Sequence, residues 1–155
     1  MADVKLISRD QDFLLNYRLG DIESDDGLET AIMVSLFTDQ RVKEDELPTG
    51  ENDRRGWWGD IAIENEQDQI GSKLWLLDRG KADESSRALA KQYAEESLQW
   101  LLDDGVADEI NVTAVLVPRS RIDLSIEVIP PRNRDKYFYR YQLLWENQYM
   151  NVRKV

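Results

Sequence analysis

The sequence predicts an α+β protein, and three observations lead to that class. Apolar residues recur at helical spacing through residues 83–104, a second stretch at 27–38 is too apolar to face water, and the last third alternates with period two. The expected architecture is a C-terminal three-stranded antiparallel sheet packed against two main helices. An extended N-terminal segment and a long central loop complete it, all in a single domain over residues 1–155.

Taken in order, residues 3–20 alternate weakly, with Phe13, Leu15, Tyr17 and Leu19 on one side and Asn16 and Arg18 on the other, which predicts strands or extended arms. Asp21-Ile-Glu-Ser-Asp-Asp-Gly27 is an acidic turn, and Asp26 followed three residues later by Glu29 has the form of a capping box. Leu28, Ala31, Ile32, Ser35 and Leu36 then recur at helical spacing while Met33, Val34 and Phe37 fill the other sides, so this helix belongs in the core. Residues 38–60 turn polar, carry Pro48, Gly50, Gly56 and Gly59, and close on Arg54-Arg-Gly-Trp-Trp-Gly-Asp60; a loop this long in a compact domain points to function.

Gly71-Ser-Lys-Leu-Trp-Leu-Leu77 predicts one or two helical turns. The helix over 83–104 has a broad apolar face of Ala90, Tyr93, Ala94, Leu98, Trp100, Leu101 and Leu102, and Gly105 is placed to end it. Ile110, Val112, Ala114 and Leu116 form one strand, Ile122, Leu124, Ile126 and Val128 a second across the Pro118-Arg-Ser120 turn, and Tyr137, Tyr139, Tyr141, Leu143 and Trp145 a third. One face of such a sheet must be covered by the helices.

Composition narrows the chemistry. The chain has 31 acidic and 20 basic side chains, a net charge of −11, and neither cysteine nor histidine. Disulfides, thiolate nucleophiles, imidazole bases, His- or Cys-ligated metals and a Ser-His-Asp triad are thereby excluded. An acidic chain without a Lys/Arg-rich run repels phosphate backbones, so no nucleic-acid partner is expected. No stretch approaches the ~20 apolar residues that cross a bilayer, and the N-terminus has no apolar leader, so no membrane association is expected either. Asp21, Glu23 and Asp25 fail as a calcium loop, because Asp26 stands where the turn glycine belongs and Ile32 where the bidentate glutamate belongs.

Two constellations remain. In the 54–60 block, Trp and Arg are the residue types that dominate protein interfaces, so Arg54, Arg55, Trp57, Trp58 and Asp60 are candidate partner-binding residues; the alternative is that the two rings anchor the loop to the core. On the third strand Phe138, Arg140, Gln142 and Leu144 face away from the aromatic row, and an edge position there would offer Tyr139, Arg140, Tyr141 and Gln142 as a template for a strand of another chain. The alternative is an ordinary exposed sheet face.

Several blocks together resemble one known family: Asp26-Gly-Leu-Glu-Thr-Ala31, Ser35-Leu-Phe-Thr-Asp39 with Arg41, the 54–60 block, Gly71-Ser-Lys-Leu-Trp-Leu-Leu77, and residues 94–105 with Leu98-Gln-Trp-Leu-Leu102. They resemble the small baseplate wedge protein of Mu-like phages and prophages, in the contractile-tail superfamily whose members start the sheath. The resemblance covers nearly the whole chain, and the double-Trp block is its most specific part.

What it implies is a structural virion protein without catalytic role, cofactor or resident metal, present in multiple copies in the tail baseplate after assembly in the host cytoplasm. The implied partners are larger baseplate wedge proteins, the central hub or spike protein, and the tail sheath protein, whose first ring adds strands to the offered sheet. Many relatives in the wider superfamily carry a Glu-Pro-Arg docking signature before the C-terminal sheet; this chain has Ala107-Asp108-Glu109 there. The docking role is expected to pass to Arg54, Arg55, Trp57 and Trp58 of the 54–60 block, and Arg41 in the same loop is a further candidate partner-binding residue. The competing class is a lysozyme-like tail enzyme acting on peptidoglycan through a carboxylate pair that includes Asp60. A nucleic-acid-mimicking inhibitor is disfavoured, because the acids cluster at turns and helix ends.

Overall fold

The computed structural model describes residues 27–56, 69–118, 121–132, 135–146 and 149–155; for Glu146, Tyr149 and six short strands before residue 26 it describes the backbone alone. Those strands are β1 (Asp3–Val4), β2 (Leu6–Arg9), β3 (Asp12–Leu15), β4 (Tyr17–Arg18), β5 (Asp21–Ile22) and β6 (Ser24–Asp25). They pair antiparallel as β2 with β3, β4 with β5 and β1 with β6, so the outermost pair brackets two hairpins.

Helix α1 (Leu28–Phe37) starts on Gly27, whose φ of +84° only glycine adopts without strain and whose carbonyl accepts the Ala31 N–H at 2.8 Å. This corrects the expected capping box: Gly27, with no side chain, holds the cap position, and Asp26 lies outside the described residues. Glu29 is drawn into an ion pair with Lys154 near the C-terminus. The helix is central, as its composition requires, with Ile32, Met33 and Leu36 buried.

Helix α2 (Glu84–Asp103) begins at Asp83, whose carboxylate accepts the Ser86 N–H at 2.8 Å. It ends in a Schellman arrangement: Gly105 sits at φ +68° just beyond the last helical turn, the Val106 N–H donates to the Leu101 carbonyl at 2.9 Å, and the Gly105 N–H donates to Leu102 at 3.1 Å. Its apolar face puts Ala90, Ala94, Leu98 and Leu101 into the core.

The main sheet has four strands where three were expected: β7 (Glu109–Val117), β8 (Arg121–Ile129), β9 (Tyr137–Glu146) and β10 (Tyr149–Lys154). Sequential neighbours pair antiparallel, giving the order β10-β9-β8-β7. The added strand exists because Met150 and Val152 alternate with Asn151 and Arg153, so that the first two pack on the core. Helix α2 covers β7 and β8, and β2 runs beside β10. Between helices and sheet, Phe37 meets Tyr141 edge-to-face at 5.0 Å, and burial raises the pKa of the Tyr141 hydroxyl.

Three indoles lock the layers. Trp75 Nε1 donates to the Gln40 carbonyl at 2.9 Å, Trp100 Nε1 to Ser35 Oγ at 3.0 Å, and Trp145 Nε1 to the Leu77 carbonyl at 2.9 Å. For Trp75 and Trp145 the bond lets a large apolar ring pack inward without stranding its polar nitrogen, while Trp100 stays 37% exposed.

Candidate functional site

The long loop is closed at its neck by backbone pairing. Ser72 N–H donates to the Thr38 carbonyl at 2.9 Å and Gln40 N–H to the Ser72 carbonyl at 3.0 Å, a parallel bridge between Asp39 and Ser72. Gly71 permits this approach: its φ is +106°, and a Cβ there would stand 2.2 Å from the Thr38 oxygen. Further out, Val42 N–H donates to the Arg54 carbonyl at 3.2 Å while Arg54 Nε returns a bond of 2.7 Å to the Val42 carbonyl.

Arg55 sits at the centre. Its backbone takes the left-handed conformation, φ +47°, stabilised by its N–H donating to Asp53 Oδ1 at 2.9 Å. From there the guanidinium reaches Asp39 at 2.9 Å and Asp78 at 3.3 Å, and lies over the Trp75 ring at 4.5 Å from its centroid. Burial disfavours its charge, but the hydrogen bond and charge of Asp39, with Asp78 behind it, outweigh that, so its pKa is raised. For Asp78 burial wins over the attraction of Arg55, and its pKa also rises. These groups line a cleft of about 260 Å³ whose apolar walls include Phe37, Leu74 and Val152.

The predicted residues thus fall into separate places. Arg54 and Arg55 are engaged within the chain, and Arg41 is exposed, with Nη1 at 3.4 Å from the Arg55 carbonyl. Trp57, Trp58 and Asp60 lie outside the described residues. The expected edge at Tyr139, Arg140, Tyr141 and Gln142 is corrected in part: β8 pairs with all four, and β10 pairs with Tyr141 and Gln142, while Tyr139 and Arg140 lie beyond the last β10 pair and the Val155 N–H donates to the Arg140 carbonyl at 3.0 Å. Tyr141 is only 1% exposed, while Arg140 and Gln142 point to the opposite face.

The sheet edges are β10 and β7. Among the described residues no strand pairs with the outer side of the nine-residue β7, whose centre, from Ile110 to Val117, carries no charge. Val115 on it is 51% exposed. Sequence reasoning passed over β7 as an edge, and it also passed over Asp39, Trp75 and Asp78, which complete the Arg55 cluster. The available signal for β7 was a long uncharged strand directly after a helix; the partners of Arg55 left none, being set by tertiary contact.

Comparison with known proteins covers these features directly. A family model described as phage protein GP46 matches residues 28–135, from α1 through β8. The chain belongs to that family. Among GP46 relatives, the baseplate protein gp46 of Escherichia phage Mu is 44% identical over 112 residues, 72% of this chain and 75% of that protein. The Mu-like prophage FluMu protein gp46 of Haemophilus influenzae is 46% identical over 107 residues, 69% of this chain and 71% of that protein. The GP46 match contains both the Arg55 cluster and the β7 edge; β9 and β10 follow it in sequence.

Proposed function

We propose that the chain is a structural component of a phage tail baseplate. The observation that carries this reading is the identity of 44% across 72% of the chain with a protein named as a baseplate protein. In the finer form of the reading, the protein links larger wedge proteins to the hub or spike and offers the first sheath ring a strand template. The template is the β7 edge, since β9 is flanked by β8 along Tyr137–Leu144 and by β10 along Tyr141–Glu146, whereas β7 pairs with β8 alone. A nine-residue edge provides a ladder long enough for specific pairing; Arg87 Nη1 donates to the Ala114 carbonyl of β7 at 3.4 Å, a contact that a partner strand pairing at that carbonyl would replace.

The Arg55 cluster serves this role mechanically, fixing the neck of the long loop to the end of α1 and to Asp78. As an enzyme site the cluster is poorly suited. Asp39 and Asp78 are both ion-paired to one guanidinium, and Asp60, the acid of the competing class, lies outside the described residues. Purified protein is expected to release no soluble product from peptidoglycan, and turnover abolished by Asp78→Asn would reverse that assignment.

Complementation of a phage lacking this protein tests the structural reading. Thr113→Lys with Val115→Lys places charges on the edge strand and is expected to give baseplates and tubes without sheath in electron micrographs. Normal sheathed tails from this variant would remove β7 from the mechanism, and normal tails in the absence of the protein would remove the baseplate role itself.

A further inference from the structure

Charge is unevenly divided along the chain. Residues 110–155 hold 8 basic and 4 acidic side chains, a net of +4, whereas residues 1–109 hold 12 basic and 27 acidic, a net of −15. The first group includes nearly all of the four-stranded sheet, and the second includes both helices and the six N-terminal strands.

The cations of the sheet are not evenly neutralised. Register places Phe138, Arg140 and Gln142 of β9 on the face away from the helices, beside Ser125 and Glu127 of β8 and Arg153 of β10. The acids of β8 on that face are matched locally: Asp123 by Arg121 at 2.8 Å and Glu127 by Lys136 at 2.9 Å. Arg140 and Arg153 are exposed and have no ion-pair partner among the described residues. Arg153 stands opposite Gln142, diagonal to Arg140, a spacing of roughly 7–8 Å between backbones that two long side chains easily bridge. Phe138, two residues from Arg140 on the same face, is 65% exposed.

The geometry points to this outer sheet face, around Phe138, Arg140 and Arg153, as a docking surface for an acidic, extended segment of a partner protein that also carries an apolar side chain. Two adjacent guanidiniums suit carboxylates, which they hold through paired N–H donors. A neighbouring exposed aromatic ring supplies the apolar anchor that makes such a site more than a charge contact. The surrounding field favours short acidic segments over long polyanions. Two cations neutralise few phosphates, and the chain's net charge of −11 opposes the approach of a long polyanion. A second copy of the chain is disfavoured for the same reason, because each brings a net −11. The inference is independent of strand addition: it concerns the face of the sheet, and the template is the β7 edge.

Fluorescence anisotropy with the full chain and a labelled peptide alternating Glu and Val tests it. Saturable binding that weakens with salt is expected, with at least about a tenfold loss of affinity in Arg140→Glu with Arg153→Glu. The charge-matched control Lys81→Glu with Lys91→Glu, on and before α2, should stay within about twofold of the parent. Thermal unfolding verifies folding of each variant, and Arg140→Gln with Arg153→Gln replaces the reversal if that variant does not fold. Equal loss in the control, equal binding of a single-stranded oligonucleotide, or self-association in sedimentation that Arg140→Glu abolishes would each overturn the proposal.

Discussion

Arg55 shows how one side chain can hold a loop. Its backbone strain, about 1 kcal/mol or more for a non-glycine residue at positive φ, is tolerated because Asp39, Asp78 and Trp75 all engage the guanidinium that this conformation presents. Replacement by alanine keeps the strain and leaves Asp78 partly buried without its counter-charge. A loss of about 1–3 kcal/mol is expected in urea unfolding, with exposure of roughly a third of the side chain already reducing the ionic share. Glycines give a sharper comparison. Gly71→Ala forces a Cβ into the Thr38 carbonyl, whereas Gly50→Ala, at φ +89° with nothing within 4 Å, suffers backbone strain alone. Gly71→Ala should therefore be the more destabilising by about 2 kcal/mol or more, read as a difference in unfolding midpoint.

Acid stability also belongs to single residues. The hydrogen bond from Lys73 lowers the Glu46 pKa below its ordinary 4.5, so its stabilisation is full above that value and is lost as pH falls through the lowered one. Asp78 has the opposite sign: its pKa is raised from 3.8, so its contribution favours the fold below 3.8 and is lost as pH rises through the raised value. Glu46→Gln should flatten the fall in unfolding free energy below pH 4.5, measured by urea titrations at successive pH values. Little of this residue-scale detail was legible beforehand. Arg55 could be singled out for its type, but its partners lie 16 and 23 residues away, and no local spacing encodes such contacts.

Elements were far more legible. Helix α2 and strands β7 to β9 follow from periodicity because each buries one face against the same core, which forces the pattern onto the sequence. The C-terminal glycine of α2 was equally readable, and Gly105→Ala is expected to cost about 1 kcal/mol in thermal unfolding, since the positive φ remains while the tolerance for it is lost. Strand β10 was missed because only Met150 and Val152 mark its inner face, and two positions do not separate alternation from chance. That single omission moved one predicted edge from β10 to β9, while β7 is an edge in either arrangement. On β7, Val115→Lys should change stability by less than about 0.5 kcal/mol, because the residue is 51% exposed, and should act on assembly alone.

At the scale of the whole molecule, net charge and an unpaired strand act against each other. The β7 edge is a surface on which any extended chain, including another β7, can pair. Two copies carrying −11 each approach slowly, and that repulsion is the protection an otherwise uncharged edge centre lacks. The protection is conditional on ionised carboxylates. Near the isoelectric pH of about 4.5 it vanishes, so acidified protein whose circular dichroism is still that of the folded sheet should scatter light reversibly, and Val115→Lys should suppress the scattering. Shelf life in acid is thus tied to the open β7 edge, and a buffer chosen well above pH 4.5 protects in the tube what nothing on the strand itself protects.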